Sequence, residues 1–197
     1  MSVLRLQGLA LILSAVSLVF GLLGPQNVGI IGPQATMFLI MISSILFILG
    51  IPAIYSAQPT GWIGMAGIVL LEFAALIALG FRLNIVPWPS SLGDSLALTS
   101  AVAGMLGAVI VGWFTIREHV FPAWVGWAFL AHSLLNFITG QFNPGFLKGM
   151  IPIFVPVLDV IAIFAYGYFI YHLSKKPTIP SESKAPRLNG TDRQADC

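Results

Sequence analysis

Charge is what this sequence has least of. Charged residues make up 8% of its 197 residues and hydrophobic residues 57%, where soluble domains carry roughly a quarter charged residues. So few charges cannot cover a water-facing surface, which makes lipid the expected solvent for most of it. Cysteine is equally scarce, with Cys197 the sole example. That excludes an internal disulfide, a CxxC redox pair and a cysteine zinc site. Cys197 also lacks the C-a-a-X context that prenylation needs. There is no HExxH, no GxSxG and no glycine-rich phosphate loop after a strand. One histidine and two carboxylates could ligate zinc in principle, but no His-x-x-x-His pair or equivalent supports them. Neither a metal nor a cofactor is expected. The net charge of +2 is small, and no basic patch is interleaved with aromatics, which argues against a nucleic-acid partner.

What the sequence does have is long apolar runs. Six stretches can be read, Leu6–Leu23, Ala35–Tyr55, Trp62–Phe81, Leu96–Ile116, Phe121–Thr139 and Met150–Leu173. Each is about 20 residues, enough to cross a hydrocarbon core of about 30 Å. Breakers separate them. Gly24-Pro25-Gln26 and Gly32-Pro33-Gln34 bracket the first connection, and Gln58-Pro59-Thr60-Gly61 forms the second. The longest connection, Arg82 to Ser95, holds Pro87, Pro89 and Gly93, and Arg117-Glu118-His119 is a solvated turn. Gln141 to Gly145 opens the last. The expected fold is therefore an all-α, polytopic membrane bundle of six transmembrane helices over residues 1–173. Residues 174–197, with Pro177, Pro180 and Pro186, lack the apolar content to order and are expected to form a disordered tail. The first stretch is read as an uncleaved span, because no small-residue cleavage site precedes Gln26.

Six spans place both termini on one side. Arg5, Arg117, Lys175, Lys176, Lys184, Arg187 and Arg193 then lie there, and Arg82 and Lys148 opposite. The positive-inside rule makes the termini cytoplasmic. Trp62, Trp113, Trp124 and Trp127, with Tyr166, Tyr168 and Tyr171, fall near the same ends, where amphipathic rings favour the headgroup region. Ser100, Gly104, Ala108 and Gly112 repeat at four-residue spacing, a small-residue face for close helix approach. That face suits packing within the chain or, as the alternative, homo-oligomerisation. Pro59 to Gly64 and Pro122 to Trp127 open the third and fifth spans with similar residues, a faint internal echo.

Gly50-Ile51-Pro52-Ala53-Ile54-Tyr55 followed by Gly61-Trp62-Ile63-Gly64, and Phe121-Pro122-Ala123-Trp124-Val125-Gly126-Trp127, form a pattern. It resembles one common in small multi-span bacterial membrane proteins of unknown function. The resemblance covers two helix–loop–helix junctions. It implies a bacterial inner-membrane protein and supplies no catalytic residues.

The informative residues are those that lipid should reject. Glu72, His132 and Asp159 each lie about 15 Å along their helices, near the bilayer midplane, and Asn136 lies one turn from His132 on the same face. Ionisable groups at this depth are costly unless paired or hydrated, and by default they mark a functional site. Pro156, three residues before Asp159, frees the carbonyl of Pro152, and Pro152 that of Lys148, unless Pro152 only starts the helix. The leading expectation is a non-enzymatic membrane protein in which Glu72, His132, Asn136 and Asp159 form one midplane site for proton-linked or small-molecule movement. The alternatives are an accessory protein whose polar residues only hold the bundle together, and an intramembrane enzyme using the same trio.

Overall fold

The computed structural model describes residues 2–22, 30–58, 60–83, 90–142 and 151–174. Among these it is all-helical, with α1 Val3–Leu22, α2 Pro33–Ala57, α3 Gly61–Leu83, α4 Ser90–Glu118, α5 Ala123–Phe142 and α6 Ile151–Leu173. Trp88, Lys148, the tail beyond Ser174 with its Lys175 and Lys176, and most of the first, third and fifth connections lie outside the described residues. Five of the helices are long and apolar enough to cross a membrane, whereas the apolar part of α5, Ala123–Thr139, is shorter.

The helix ends follow local chemistry. Gly32 precedes Pro33 at the start of α2, where the missing proline amide has no intrahelical bond to make. Pro152 is the second described residue of α6, and Pro156 lies inside the helix. The turn between α4 and α5 is closed by His119 in the left-handed region, φ 53°, a conformation few non-glycine residues adopt. One boundary differs from expectation. α4 starts at Ser90, six residues before the apolar run begins at Leu96, and it is 29 residues long. Apart from Leu92, Ser90 to Ser95 are polar or small, so an apolar count reads them as loop. Their backbone nevertheless continues the helix.

The helices form a ring in chain order. Each packs on its sequence neighbours, α1 closes the ring on α6, and α2 also touches α6. Short connections make consecutive helices antiparallel, so the start of α1 and the end of α6 share one face. There the Arg5 guanidinium donates from Nη2 to the Ser174 carbonyl at 2.9 Å and from Nε to the same oxygen at 3.2 Å. A cation on the last carbonyls of a helix complements its dipole.

In lipid, packing rather than hydrophobic burial drives helix association, and small residues allow the closest contacts. A Cβ added at Gly107 of α4 would lie 2.7 Å from the Gly67 carbonyl of α3, and one at Gly167 of α6 would lie 2.7 Å from the Gly8 carbonyl of α1. The four-residue stripe on α4 is spent within the chain. Ser100 Oγ donates to the Ala74 carbonyl at 3.1 Å. A Cβ at Gly104 would meet Ala74, Gly112 abuts Leu130 and Gly126 of α5, and Ala108 is buried.

The aromatic residues divide in two. Trp62, Trp113, Trp124 and Trp127 are all half or more exposed, at the face where α1 starts and α6 ends. Tyr166 does not join them. It is 1% exposed and packs edge-on to Phe121 at 5.2 Å and Phe129 at 5.6 Å. Its hydroxyl finds a buried partner in Thr115, and this allows an amphipathic ring to leave the interface for the core.

Candidate functional site: a cavity with a histidine–aspartate pair

An open cavity of about 370 Å³ lies within the ring, and all six helices contribute to it. Its polar wall comes from Ser14 of α1, Ser43 and Ser44 of α2, Ser100 of α4, Ser133 and Asn136 of α5 and Asp159 of α6. α3 contributes only apolar residues, among them Leu71, Ala74 and Ala78. The volume is that of a small-molecule site.

Ser14 and Ser43 form one side by reciprocal bonding. Ser14 Oγ donates to the Ser43 carbonyl at 2.8 Å, and Ser43 Oγ donates to the Ser14 carbonyl at 2.9 Å. Each hydroxyl thereby satisfies itself against the opposite backbone and pins α1 to α2. Nothing in the sequence marked Ser43. Ser14 was legible only as a small residue of the first apolar stretch.

The opposite side carries the charge. His132 Nε2 lies 3.4 Å from Asp159 Oδ1, with side-chain exposures of 15% and 24%. His132 Nδ1 lies 3.0 Å from the Val155 carbonyl, one turn before Asp159 on α6. A carbonyl only accepts, so Nδ1 must carry a hydrogen and donate it. Nε2 then either carries the second proton of an imidazolium or presents a lone pair to the carboxyl. A lone pair facing a carboxylate oxygen at this distance is repulsive. The contact is therefore favourable only when one proton lies between Nε2 and Oδ1, either as imidazolium with carboxylate or as imidazole with carboxylic acid. Both forms have the same net charge of zero.

The structure thus brings His132 and Asp159 together and sets Asn136 on the same cavity. It does not bring Glu72 to them. Glu72 is half-buried and is not among the cavity-lining residues, although Leu71 beside it is. Consecutive helical residues differ by about 100° in direction. Glu72 therefore shares the depth of the pair but not its side of α3. Among the described residues no group of three or more His, Cys, Asp or Glu assembles.

Between the cavity and the face where α1 starts and α6 ends lies a second polar cluster. Tyr166 OH is 2.7 Å from Thr115 Oγ1, Gln58 Nε2 donates to that oxygen at 3.0 Å, and Thr115 Oγ1 donates to the Val111 carbonyl at 2.9 Å. With its one hydrogen given to Val111, Thr115 can only accept from Tyr166. The hydroxyl is then saturated, with one bond donated and two accepted. Gln58 and Thr115 are buried. Phe129 touches Tyr166 on one side and lines the cavity on the other, so the cluster forms its floor. Gln58 reads in sequence as a loop residue and Thr115 as an ordinary polar residue near a helix end, so neither signalled this role.

No protein-family profile matches the chain, and no curated protein or solved structure matches it either.

Proposed function

We propose that this chain is a six-span membrane protein with cytoplasmic termini whose midplane cavity binds a small polar or cationic molecule and couples its movement to a proton. The observation that carries this reading is the His132–Asp159 pair on the cavity wall. An ionisable pair at midplane is costly, and it is tolerable where it lines a hydrated space. α5 crosses with the others in this reading. Its polar residues His132, Ser133 and Asn136 face the cavity rather than lipid. The floor of Gln58, Thr115 and Tyr166 separates the cavity from the cytoplasm, so access is from the opposite side. The lysine and arginine bias supports the orientation.

Thiol labelling tests both parts. Cys197, the sole native thiol, should resist a membrane-impermeant maleimide in intact cells and react after permeabilisation. In a Cys197→Ser background, Ser133→Cys should react in intact cells with a small charged methanethiosulfonate. Labelling of Cys197 in intact cells would invert the topology. A Ser133→Cys variant that is inert both before and after permeabilisation would mean a dry cavity, leaving an accessory protein held together by its polar residues.

A further inference from the structure

We infer that the outer face of α3 is where two copies of this chain pair in the membrane, with Glu72 of each copy meeting Glu72 of the other across a two-fold axis along the bilayer normal. This surface is separate from the cavity, and Glu72 takes no part in the proposed movement.

Glu72 is the middle residue of α3, about 16 Å from either end, on a helix long and apolar enough to cross a membrane. It is half-buried and does not line the cavity. Among the described residues its carboxyl has neither a hydrogen bond nor an ion pair. Val69, one turn before it, and Leu76, one turn after it, are each more than half exposed. The pattern extends both ways. Met65, Val69, Glu72, Leu76, Leu79 and Leu83 follow one another at alternating steps of four and three residues, the spacing of a left-handed helix–helix seam. Met65 is also more than half exposed, and Leu83 is exposed. The seam is not the side that α3 uses within the chain, where Gly67, Leu71 and Ala74 meet α4. α3 therefore presents an apolar seam with one acid at its centre.

Lipid offers that acid neither a donor nor an acceptor, and the side chain is too short to reach the headgroups from midplane. Polar side chains in this setting associate helices through interhelical hydrogen bonds. The partner must carry a polar group at the same depth on an apolar face, and a second copy does so by construction. Two copies inserted with one topology are related by a two-fold axis along the bilayer normal. Their α3 helices then run parallel, and like residues face one another at equal depth. Such a contact favours only self-complementary groups. A carboxylic acid is one, because its O–H donates and its carbonyl accepts. Two of them form two O–H···O bonds and place no charge in lipid. One polar residue in an apolar seam also fixes register and the number of strands. The small-residue stripe of α4, the other candidate for self-association, is occupied within the chain by Ala74, Leu130 and Gly126.

Cross-linking and dilution test the pairing in the full-length protein. In a Cys197→Ser background, Leu76→Cys on the seam and Ile161→Cys, an exposed residue of α6, are oxidised in membranes with copper phenanthroline. Leu76→Cys should give a disulfide-linked species of twice the chain mass, and Ile161→Cys should not. In the native background, copies labelled at Cys197 with donor or acceptor dye are reconstituted in phosphatidylcholine vesicles, and energy transfer is followed as lipid is added. Glu72→Gln, whose amide is self-complementary in the same way, should pair about as well as the parent. Glu72→Leu should pair about tenfold or more weakly, from the loss of two interhelical bonds. Leucine suits a lipid-facing position, and a thermal melt checks that each variant is folded. Absence of the Leu76→Cys cross-link, or an equal yield from Ile161→Cys, would overturn the dimer face. Pairing of Glu72→Leu as tight as the parent's, or loss of pairing in Glu72→Gln, would overturn Glu72 as the group that joins the copies.

Discussion

The floor of the cavity gives the sharpest stability prediction, because its hydrogen bonds can be counted. Thr115 Oγ1 accepts from Tyr166 and from Gln58 and donates to the Val111 carbonyl. Thr115→Val keeps the volume and shape of the side chain, so no void opens. It removes the acceptor of two buried donors on two other elements. A buried donor left without a partner costs about 1–3 kcal/mol in soluble proteins, whereas interhelical bonds in membranes average about 0.6 and reach about 1.7 kcal/mol. Two such bonds give an expected loss of about 2–3 kcal/mol. The bond from Thr115 to Val111 is within α4 and adds little, since that carbonyl already serves the helix. Tyr166→Phe removes one donor and keeps the ring against Phe121 and Phe129, for a loss of about 1 kcal/mol. The double variant should cost less than the sum, with a coupling of at least about 0.5 kcal/mol, because the second change removes a donor that the first has already stranded. The assay is reversible unfolding in mixed micelles by SDS titration, followed by tryptophan fluorescence. A Thr115→Val variant within about 0.5 kcal/mol of the parent, or strict additivity with Tyr166→Phe, would refute the assignment of Thr115 as the shared acceptor.

Two further outcomes are expected. In pairwise cycles with Glu72→Gln, His132→Gln and Asp159→Asn, the last two should couple by at least about 0.5 kcal/mol, whereas Glu72→Gln should add independently to each; coupling of Glu72 to Asp159 in the same denaturation assay would place Glu72 in the site after all. Gly107→Ala should destabilise by about 1–3 kcal/mol, because its Cβ would sit 2.7 Å from the Gly67 carbonyl and 2.9 Å from the Leu71 amide nitrogen, both backbone. Gly80→Ala, with nothing within 4 Å of the added Cβ, is the matched control and should be neutral or slightly stabilising; equal losses for the two would remove close approach as the cause.

The helices were legible because apolarity over about 20 residues is a one-dimensional signal, and the lipid environment makes it nearly binary. It failed where a helix outruns its apolar run, as at Ser90 to Ser95 of α4. The small-residue stripe on α4 was legible as a contact face, but its partners were not. Periodicity tells which residues share a face and not which helix lies opposite. The contacts of Ser100 and Gly104 with Ala74, and of Gly112 with Gly126, came only from the fold.

The site shows the same limit more sharply. Counting residues from the helix ends gave depth, and depth alone placed Glu72, His132 and Asp159 together. Azimuth is the missing coordinate. His132 and Asn136 stand four residues apart and share a face by helical geometry alone, so both line the cavity. Asp159 joins them because α6 packs on α5 with Val155 and Asp159 turned toward His132. Glu72 has the same depth on a helix that turns Leu71, Ala74 and Ala78 inward instead, which points its carboxylate about 100° away from Leu71. The serines were illegible for a different reason. A serine in a membrane helix can return its hydroxyl to its own backbone, as Ser44 does to the Ile40 carbonyl at 2.9 Å, or cross to a neighbour, as Ser43 does to Ser14. The sequence is identical in the two cases, and only the proximity of a second helix decides between them. A carboxylate has no such local outlet, since it is acceptor-only when ionised and the helical amides around it are already committed. That asymmetry explains why Asp159 announces a site from the sequence while Ser14 and Ser43, an equal part of its wall, do not.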